Sequence, residues 1–403
     1  MTKRVPEIRF EGFTDEWEQR KLGEITESYS GGTPSAGNKI YYGGNIPFIR
    51  SGEINDDKTE LFITEEGLKN SSAKMVSKGD ILYALYGATS GEVGISKING
   101  AINQAILAIK PKEDDNSYLI IQWLKKQKDS ILATYLQGGQ GNLSGSIVKE
   151  LTLQLPIDKN EQKQIGAFFK SLDDTIALHQ CKLEQLQSIK DGFLQKLFPK
   201  DGEKEPEIRF LGFADDWEQR KLGEVSDVRD GTHASPKYVN QGHPMVTSKN
   251  LTSSGLDMTD VSFLTDEDFN EINKRSKVSI GDILFGMIGT IGNPVIVDRA
   301  DFAIKNVALI KEKSYNPITN KWLLQYLKSP SFNRFIQKEN AGGTQKFIAL
   351  GLIRDMILKV PGLEEQQKIG TFLEQIDNTI TLHQRELELL KQSKKAFLQK
   401  MFV

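Results

Sequence analysis

The chain contains the same framework twice, and this repeat constrains its fold more than any other feature. Residues 6–25 read PEIRFEGFTDEWEQRKLGEI, and residues 206–225, 200 positions later, read PEIRFLGFADDWEQRKLGEV. A second pair of matching segments begins with EQKQIG at residue 161 and EQQKIG at residue 365, and ends at Phe198 and Phe402. The stretches between these matched ends differ strongly. A duplicated frame around two dissimilar centres indicates one scaffold that presents two different surfaces.

The length and the repeat together predict two globular domains, each followed by a long helix. A chain of 403 residues is too long for one core, whereas two units of roughly 150–200 residues fit the usual domain size. We predict variable domains at residues 1–157 and 201–361, with long helices at residues 158–200 and 362–403. The predicted fold class is α+β, with two mixed α/β domains related by a pseudo-twofold internal repeat.

The two long segments have the heptad spacing of coiled-coil helices, because apolar residues recur at intervals of three and four. Each helix would extend over roughly 35–38 residues, or about 55 Å. Neither can bury its apolar stripe alone, so we predict an antiparallel coiled coil with one domain at each end; a parallel pair would place both domains at the same end. The predicted seam consists of Leu172, Ile176, His179, Leu183, Leu186, Phe193, Ile376, Ile380, His383, Leu387, Leu390 and Phe397.

Polar residues occupy matching positions in this seam. His179 matches His383, and Lys190 matches Lys394. A metal or proton site is one interpretation of the histidines. The interpretation we favour is that these residues set the helix register or extend their polar ends to the edge of the seam.

The variable stretches combine short apolar runs with segments rich in Gly, Ser, Thr and Asn. Runs bounded by Gly and Asp are typical of buried strands. The sequence predicts strands at residues 46–49, 81–86, 102–109, 283–288 and 303–310, and helices at residues 118–135 and 320–340.

Composition excludes several classes of protein. No apolar run is long enough to span a bilayer, and Cys181 is the only cysteine, so we expect a cytoplasmic protein with no membrane partner and no internal disulfide. The formal net charge is −2, so DNA binding would have to depend on local patches.

The sequence lacks the usual catalytic and metal-binding motifs. It contains no Cys/His cluster with zinc spacing, no serine-nucleophile elbow and no complete phosphate-binding loop. The segment Asn45-Ile46-Pro47-Phe48 is one residue away from an amino-methyltransferase signature, but no cofactor fingerprint accompanies it. We therefore expect no catalytic residue, no metal site and no cofactor in this chain.

The loops of both variable stretches suit binding to nucleic acid. Gly-rich turns bring backbone amides close to phosphates, Asn and Gln can pair with adenine, and Arg and Lys can pair with guanine. The candidate DNA-binding residues are Thr33, Ser35, Lys39, Arg50, Ser51, Thr89, Ser90, Gln137, Gln140, Asn142, Arg229, Thr232, His233, Lys237, Lys249, Asn250, Thr290, Asn293, Thr344, Gln345 and Lys346.

The double layout resembles the specificity (S) subunit of type I restriction–modification enzymes. The resemblance is carried by WEQRKLGE at each domain start, by KGDIL and IGDIL with their following Gly loops, by GGTQKFIALGLIRDMILKVP, and by LDDTIALHQ with its twin IDNTITLHQ. It covers essentially the whole chain.

The resemblance implies that each variable domain reads one half of a bipartite site in double-stranded DNA, while the coiled coil sets the gap. It also implies two methyltransferase (M) subunits that use S-adenosylmethionine to methylate adenine N6, and restriction (R) subunits that use ATP and Mg²⁺. The subunit itself would not be catalytic. Two alternatives stay open at this point: a coiled-coil protein scaffold and a stand-alone DNA-modifying enzyme.

Overall fold

The structure, a computed structural model, describes residues 5–112, 116–136, 142–200, 202–313, 318–339 and 347–403. It divides into two compact units. Unit 1 consists of Met1–Leu178 and Glu386–Val403, and unit 2 consists of His179–Arg385. Each long helix therefore contributes one part to each unit, whereas the sequence suggested four consecutive segments.

Unit 1 contains short strands and helices between its matched ends. Its strands are β1 (Glu18–Lys21), β2 (Thr26–Ser30), β3 (Tyr42–Ile49), β4 (Phe62–Ile63), β5 (Lys74–Val76), β6 (Ile81–Ala84), β7 (Val93–Ile95), β8 (Gly100–Ile102), β9 (Ile106–Pro111) and β10 (Thr152–Leu155). Its helices are α1 (Leu22–Ile25), α2 (Glu65–Lys69), α3 (Ser117–Tyr135), α4 (Gly145–Glu150) and the first part of α5 (Lys159–Lys196).

Unit 2 repeats this order of elements with insertions. Its strands are β11 (Glu218–Lys221), β12 (Ser226–Asp230), β13 (Tyr238–Val239), β14 (His243–Val246), β15 (Leu251–Thr252), β16 (Gly255–Leu256), β17 (Ser262–Leu264), β18 (Ile283–Gly286), β19 (Gly292–Ile296), β20 (Ala303–Ile304), β21 (Val307–Glu312) and β22 (Ile357–Val360). Its helices are α6 (Leu222–Val225), α7 (Asp266–Ser276), α8 (Asn320–Lys328), α9 (Pro330–Glu339), α10 (Leu350–Asp355) and the first part of α11 (Leu363–Lys400).

One four-stranded antiparallel sheet is common to both units. Its strand order is β2-β9-β6-β7 in unit 1 and β12-β21-β18-β19 in unit 2. The second sheet differs, with order β4-β3-β8-β5 in unit 1 and β13-β17-β14-β20 in unit 2. A parallel pairing recurs within it, between β3 and β8 and between β14 and β20. The shared sheet is therefore the fixed part of the scaffold, and the second sheet varies.

The repeated sequence segments meet in a buried ion pair. In unit 1, Arg9 forms two hydrogen bonds with Glu161, at 2.6 and 2.7 Å, and Trp17 Nε1 donates to the same carboxylate at 3.4 Å. In unit 2, Arg209 and Trp217 bind Glu365 in the same way. The start of each half and the EQ-x-x-x-G motif are thus repeated because they are two sides of one contact.

Gln162 and Gly166 of that motif hold α5 close to the start of α3. Gln162 Nε2 donates to the carbonyl of Pro156 at 2.9 Å, and Gln162 Oε1 accepts from Asn116 N at 3.3 Å. Asn116 also caps α3 through its side chain, and a Cβ on Gly166 would lie only 2.2 Å from Asn116 Oδ1. Only glycine leaves room for this close approach of α5 to the start of α3.

The helix ends complete the cores. In unit 1, Met401 and Phe402 are buried with Trp17 and Phe169, and the Trp17 and Phe402 rings are 6.4 Å apart. In unit 2, Leu197 and Phe198 lie in the core that contains Trp217. The repeated LQKLF and LQKMF sequences therefore supply apolar side chains to the two cores. Each side chain of this size contributes about 1.5–3 kcal/mol to the stability of the fold when it is fully buried.

Within each unit, the parts of α5 and α11 run antiparallel and contact one another. Phe168 packs against Phe397 in unit 1, with ring centroids 5.0 Å apart, and Phe193 packs against Phe372 in unit 2, at 4.8 Å. All twelve residues of the predicted seam are buried or half-buried. The fold class inferred from the sequence, two mixed α/β domains with a pair of long antiparallel helices, is confirmed.

The seam lysines bind partners that the sequence did not reveal. Lys190 is buried and its Nζ lies 2.5 Å from Asp377, while Lys394 Nζ lies 2.5 Å from Asp173. These lysines therefore reach across to the opposite helix instead of extending to solvent.

The seam histidines face each other in unit 2. His179 Nδ1 lies 3.3 Å from His383 Nδ1, and the ring centroids are 5.2 Å apart. Cys181 is exposed, as expected for a residue off the seam.

Several predicted elements are interrupted in the structure. The predicted strand at residues 102–109 is two strands, β8 and β9, separated by a turn in which Asn103 Oδ1 accepts from Ala105 N. Residues 303–310 are divided in the same way, at Asn306, which has a left-handed backbone with φ of 57°. The predicted helix at residues 320–340 is broken at Pro330, which has no backbone N–H with which to continue α8. None of the helices in the described ranges combines the length and apolar character needed to cross a membrane.

Candidate nucleic-acid interface

Polar loops meet at one end of the shared sheet in unit 1. Ser30 at the end of β2 pairs with Leu107, and Ala84 at the end of β6 pairs with Ile106, so the loops beyond these strand ends emerge together. We call these loops, residues 31–33, 86–91 and 103–105, the first rim.

Two polar side chains of the first rim are joined by a hydrogen bond. Thr33 Oγ1 donates to Gln104 Oε1 at 2.6 Å, and both residues are exposed. Tyr86 of the same rim is half-buried. Burial raises the pKa of the Tyr86 phenol, and the Gln104 side chain opposes part of that rise. The rim is therefore neutral and ordered by its own hydrogen bonds.

The same construction recurs in unit 2 with different side chains. Asp230 at the end of β12 pairs with Ala308, and Gly286 at the end of β18 pairs with Val307. The loops beyond these ends, residues 231–233, 288–292 and 305–306, form the second rim.

The second rim is built around a histidine. His233 Nδ1 lies 2.8 Å from Asn306 Oδ1, and His233 Nε2 lies 2.9 Å from Asp230 Oδ2. The buried Asp230 carboxylate also forms an ion pair with Arg275. His233 follows Thr33 by 200 positions, and Asn306 follows Gln104 by 202, so one loop-to-turn contact exists twice with different chemistry.

Cationic groups surround the second rim. Arg275 is exposed, and Lys305 Nζ lies 3.4 Å from Ser235 Oγ. Arg229 donates to the carbonyl of Arg275 at 3.1 Å, and its hydrogen bond with Asp227 raises the Arg229 pKa further. Arg229 and Arg275 are paired with Asp227 and Asp230, but a guanidinium group has five N–H donors, and those left over suit contact with phosphate or guanine.

Glycine fixes the path of the first loop in each rim. A Cβ on Gly31 would lie 1.8 Å from the carbonyl oxygen of Ile102, and a Cβ on Gly231 would lie 2.4 Å from that of Ile304. The backbone therefore passes too close to the neighbouring strand for any larger residue. Thr33 and His233, two residues further on, project from equally constrained loops.

Exposed apolar groups occur within and beside the second rim. Ile288 and Phe347 form an isolated bridge, and their exposed fractions are 37% and 50%. Tyr86 and Asn142 form the corresponding bridge in unit 1. An exposed apolar surface beside polar side chains can contact the methyl group of thymine.

The structure brings some predicted DNA-binding residues to the rims and places others elsewhere. Rim members are Thr33, Thr89, Thr232, His233 and Thr290, and Asn142 adjoins them through its bridge with Tyr86. Exposed positions outside the rims are occupied by Ser35, Lys39 and Lys237, and Ser51 is half-buried. The predicted residues Gln137, Gln140, Thr344, Gln345 and Lys346 lie outside the described residues.

Two predicted contacts need correction because their side chains are buried and occupied. Ser90 Oγ donates to the carbonyl of Leu85 at 3.0 Å. Asn250 is 3% exposed, accepts from Thr247 N, and donates to the carbonyls of Asp257 and Asp260. Both side chains hold their own loops together, and we remove them from the candidate interface.

Other predicted residues are exposed but already have ionic or backbone partners. Arg50 is paired with Glu53 and Glu60. Burial alone would raise the pKa of Glu53, but hydrogen bonds from Arg50 and Thr59 lower it to about 2. Lys249 is paired with Asp260. Asn293 has φ of 46° and donates to the carbonyl of Leu251, so it also stabilises local backbone.

Sequence reasoning missed Gln104, Asn306, Tyr86 and Arg275. Gln104 and Asn306 fell inside predicted continuous strands, so their turns were not recognised. Arg275 lies at the end of α7, which has no counterpart of similar length in unit 1. Asn103 and Asn306 could have indicated these turns, because Asn is enriched in turns and tolerates a left-handed backbone.

Comparison with known proteins agrees with this architecture. The family described as "Type I restriction modification DNA specificity domain" matches residues 14–188 and residues 214–392, which is most of both halves.

Individual relatives match either nearly the whole chain or one part of it. The type I restriction enzyme MjaVIII specificity subunit of Methanocaldococcus jannaschii is 25% identical over 398 residues, covering 95% of this chain and 91% of the relative. The EcoR124I/EcoR124II specificity subunit of Escherichia coli is 29% identical over 167 residues, covering 39% of this chain and 41% of the relative.

A solved structure shares the fold. The crystal structure of the type I restriction–modification S subunit from M. genitalium superposes with a TM-score of 0.70 at 18% identity, and 99% of each chain is covered. This chain therefore belongs to the family of type I restriction–modification DNA specificity domains, and its general function is DNA recognition.

Proposed function

We propose that this protein recognises a DNA site composed of two separate half-sites, and that each unit reads one of them. The observation that carries the proposal is the recurrence of the rim contact with changed chemistry. Thr33 bonds to Gln104 in unit 1, and His233 bonds to Asn306 at the equivalent place in unit 2. Two rims at the same end of the shared sheet with different donors and acceptors suit two different short sequences.

We propose that the long helices determine the number of unread base pairs between the half-sites. Helices α5 and α11 each span 38 residues, which corresponds to about 55 Å at 1.5 Å per residue. Half-sites one DNA turn apart are about 34–36 Å from centre to centre. Two linked weak readers gain affinity through effective concentration only when their spacer matches the gap.

The proposed partners supply the chemistry. In this proposal the protein assembles with two methyltransferase subunits, which use S-adenosylmethionine to methylate adenine N6, and with restriction subunits that use ATP and Mg²⁺. The protein itself contributes sequence recognition and not catalysis. Family membership supports the general role, and the M and R composition and the adenine chemistry belong to the proposal.

The charge of the chain supports a need for these partners. The formal net charge is −2, although salt-dependent DNA binding rests mainly on cationic contacts with phosphates. We expect the chain alone to bind its site weakly, and a methyltransferase subunit to raise both affinity and specificity.

The proposal is tested by exchanging the centre of one unit. Residues 26–155 are replaced by the corresponding segment of another family member, and the protein is produced in cells with its methyltransferase partner. Methylation-aware sequencing of the cellular DNA then gives both half-sites and the gap. We expect one half-site to change while the other half-site and the gap stay the same.

The matched control exchanges residues 226–360, which should change only the other half-site. A motif that keeps both halves after either exchange would contradict the proposal. So would a motif in which one exchange altered both halves.

A further inference from the structure

We propose that Gln104 is the side chain of unit 1 that reads an adenine, and that Thr33 is a positioning residue that holds its amide in place. This inference rests on the proposed function and identifies one side chain, one base and the means by which the side chain is held. Nothing in the sequence pattern drew attention to Gln104, because it lay within a predicted strand.

The placement of Gln104 is fixed by the fold around it. It lies in the short turn between β8 and β9, where its neighbour Ala105 is buried and Ala105 N donates to Asn103 Oδ1 at 3.0 Å. Thr33 comes from the glycine-constrained loop beyond β2. Two separate segments of unit 1 therefore meet at one exposed amide.

A hydrogen bond from Thr33 holds the Gln104 amide in place. Thr33 Oγ1 donates to Gln104 Oε1 at 2.6 Å. The bond ties the amide to a loop whose own path is constrained by Gly31.

The remaining capacity of this amide matches adenine. An amide oxygen has two lone pairs and an amide nitrogen has two hydrogens, so each atom of the Gln104 amide can form one more bond. A side chain with one donor and one acceptor pairs bidentately with adenine, which presents the N6 donor and the N7 acceptor in the major groove. Guanine presents two acceptors at that edge and leaves the amide oxygen unpaired.

Unit 2 does not repeat this arrangement. Ile288, which has no hydrogen-bonding group, stands 202 positions after Tyr86, and the equivalent amide belongs to the shorter Asn306. The second half-site therefore serves as an internal control for any change made at Gln104.

The test uses the complex of the full chain with its methyltransferase subunit. The probe is a library of DNA duplexes in which the second half-site and the gap are kept and the first half-site is randomised. Methylated molecules are selected and sequenced for the wild-type protein and for Gln104→Ala, Gln104→Glu and Gln164→Ala. Gln164 is an exposed amide on α5 and serves as the matched control.

We expect the wild type to require adenine at one position of the first half-site. Gln104→Ala should reduce that preference by roughly tenfold to a hundredfold, the discrimination of one bidentate pair, with other positions unchanged. Gln104→Glu should shift the preference toward cytosine, because a carboxylate accepts from cytosine N4. Gln164→Ala should leave the motif unchanged.

The positioning role is tested with Thr33→Val and Thr33→Ser. Valine keeps the shape of threonine without its hydroxyl, so it removes the hydrogen bond that holds the amide in place, and the adenine preference should fall by roughly fivefold to tenfold. Serine keeps the hydroxyl and should preserve the preference. Equal melting temperatures for the two variants would show that the change in preference is not a loss of folding.

An adenine preference that survives Gln104→Ala, or a wild-type preference for another base at the affected position, would overturn the inference while leaving two half-sites intact. A wild-type protein that selected no bipartite motif would instead refute the proposed function. The two failures are therefore distinguishable in one experiment.

Discussion

Replacing Asp377 by asparagine should destabilise unit 2, because the Asp377 carboxylate neutralises two partly buried lysines. Lys190 Nζ lies 2.5 Å from Asp377 Oδ1, and Lys328 Nζ lies 3.7 Å from Oδ2. Gln325 Nε2 donates to the same carboxylate at 2.9 Å. Asparagine keeps the shape and one acceptor oxygen, but it leaves two ammonium groups close together without a counter-charge.

The magnitude follows from the burial of the pair. Breaking a fully buried ion pair costs about 3–5 kcal/mol, whereas an exposed pair contributes about 0.2–1 kcal/mol. The Lys190 side chain is 8% exposed and that of Asp377 is 27% exposed, so the pair lies nearer the buried limit. We expect a loss of about 2–4 kcal/mol in the free energy of unfolding. For a unit of this size, that loss lowers the melting temperature by roughly 5–15 °C.

The assay is a double-mutant cycle with Asp377→Asn, Lys190→Met and the double variant, followed by calorimetry and by tryptophan fluorescence. Because the double variant removes both charges, it should be more stable than the sum of the single losses predicts, by about 1–3 kcal/mol. Asp173→Asn with Lys394→Met is the matched cycle in unit 1, where Lys394 Nζ lies 2.5 Å from Asp173. A melting temperature for Asp377→Asn within 1 °C of the wild type, or strictly additive single losses, would refute the reasoning.

The pH dependence has a definite sign. Burial alone would raise the pKa of Asp377, but Lys328 and Lys190 lower it below its ordinary value. A carboxyl group whose pKa is depressed by folding contributes stability that is present above its unfolded pKa, about 3.9, and that is lost as the pH falls through the folded value. The gap in melting temperature between the wild type and Asp377→Asn should therefore be constant above about pH 5 and should narrow below pH 4.

Three further outcomes are expected. Removing residues 180–186 and 379–385 deletes one heptad from each long helix, between its two ion-paired positions, and shortens each helix by about 10 Å. Methylation-aware sequencing should then show unchanged half-sites with a gap reduced by about three base pairs, or no methylation. An unchanged gap would rule out the spacer role. Gly31→Ala should lower the melting temperature and weaken recognition of the first half-site, whereas Gly37→Ala, where a Cβ meets nothing within 4 Å, should leave both unchanged. Glu161→Gln should cost about 2–4 kcal/mol by calorimetry, because Arg9 loses its buried partner.

The framework of the fold could be predicted because it is repeated and periodic. The long helices were expected at residues 158–200 and 362–403, and they occur at Lys159–Lys196 and Leu363–Lys400. Heptad spacing is a strong local signal, and a stripe that cannot be buried alone calls for a partner. The partners of Lys190 and Lys394 could not be predicted, because the aspartates that bind them lie beside the seam and not within it.

The rims were harder to predict, because strand breaks carry weak local signals. Ile102, Ile106, Leu107 and Ile109 make the segment of residues 102–109 apolar enough for a buried strand, and the turn that begins at Asn103 separates β8 from β9. Recognising that turn required its tertiary partner, since Thr33 comes from a loop some 70 residues earlier in the chain. Glycine-rich composition located the loops, but it did not distinguish Thr33, which faces Gln104, from Ser90, which is buried in its own loop.

Under the proposed function, the shared framework and the differing rims of the two units explain how one scaffold can take on new specificities. Gly31 and Gly231 hold their loops against the carbonyl oxygens of Ile102 and Ile304, so the backbone of each rim is constrained by contacts that do not depend on the exposed side chains. The residue two positions later can therefore be threonine or histidine without moving the loop. A change at such a position alters the exposed donors and acceptors at little cost in stability, because neither side chain contributes to a core. Under the proposed function, recognition then diversifies at the rims while the buried Arg–Glu–Trp contact at the base of each unit keeps the framework constant.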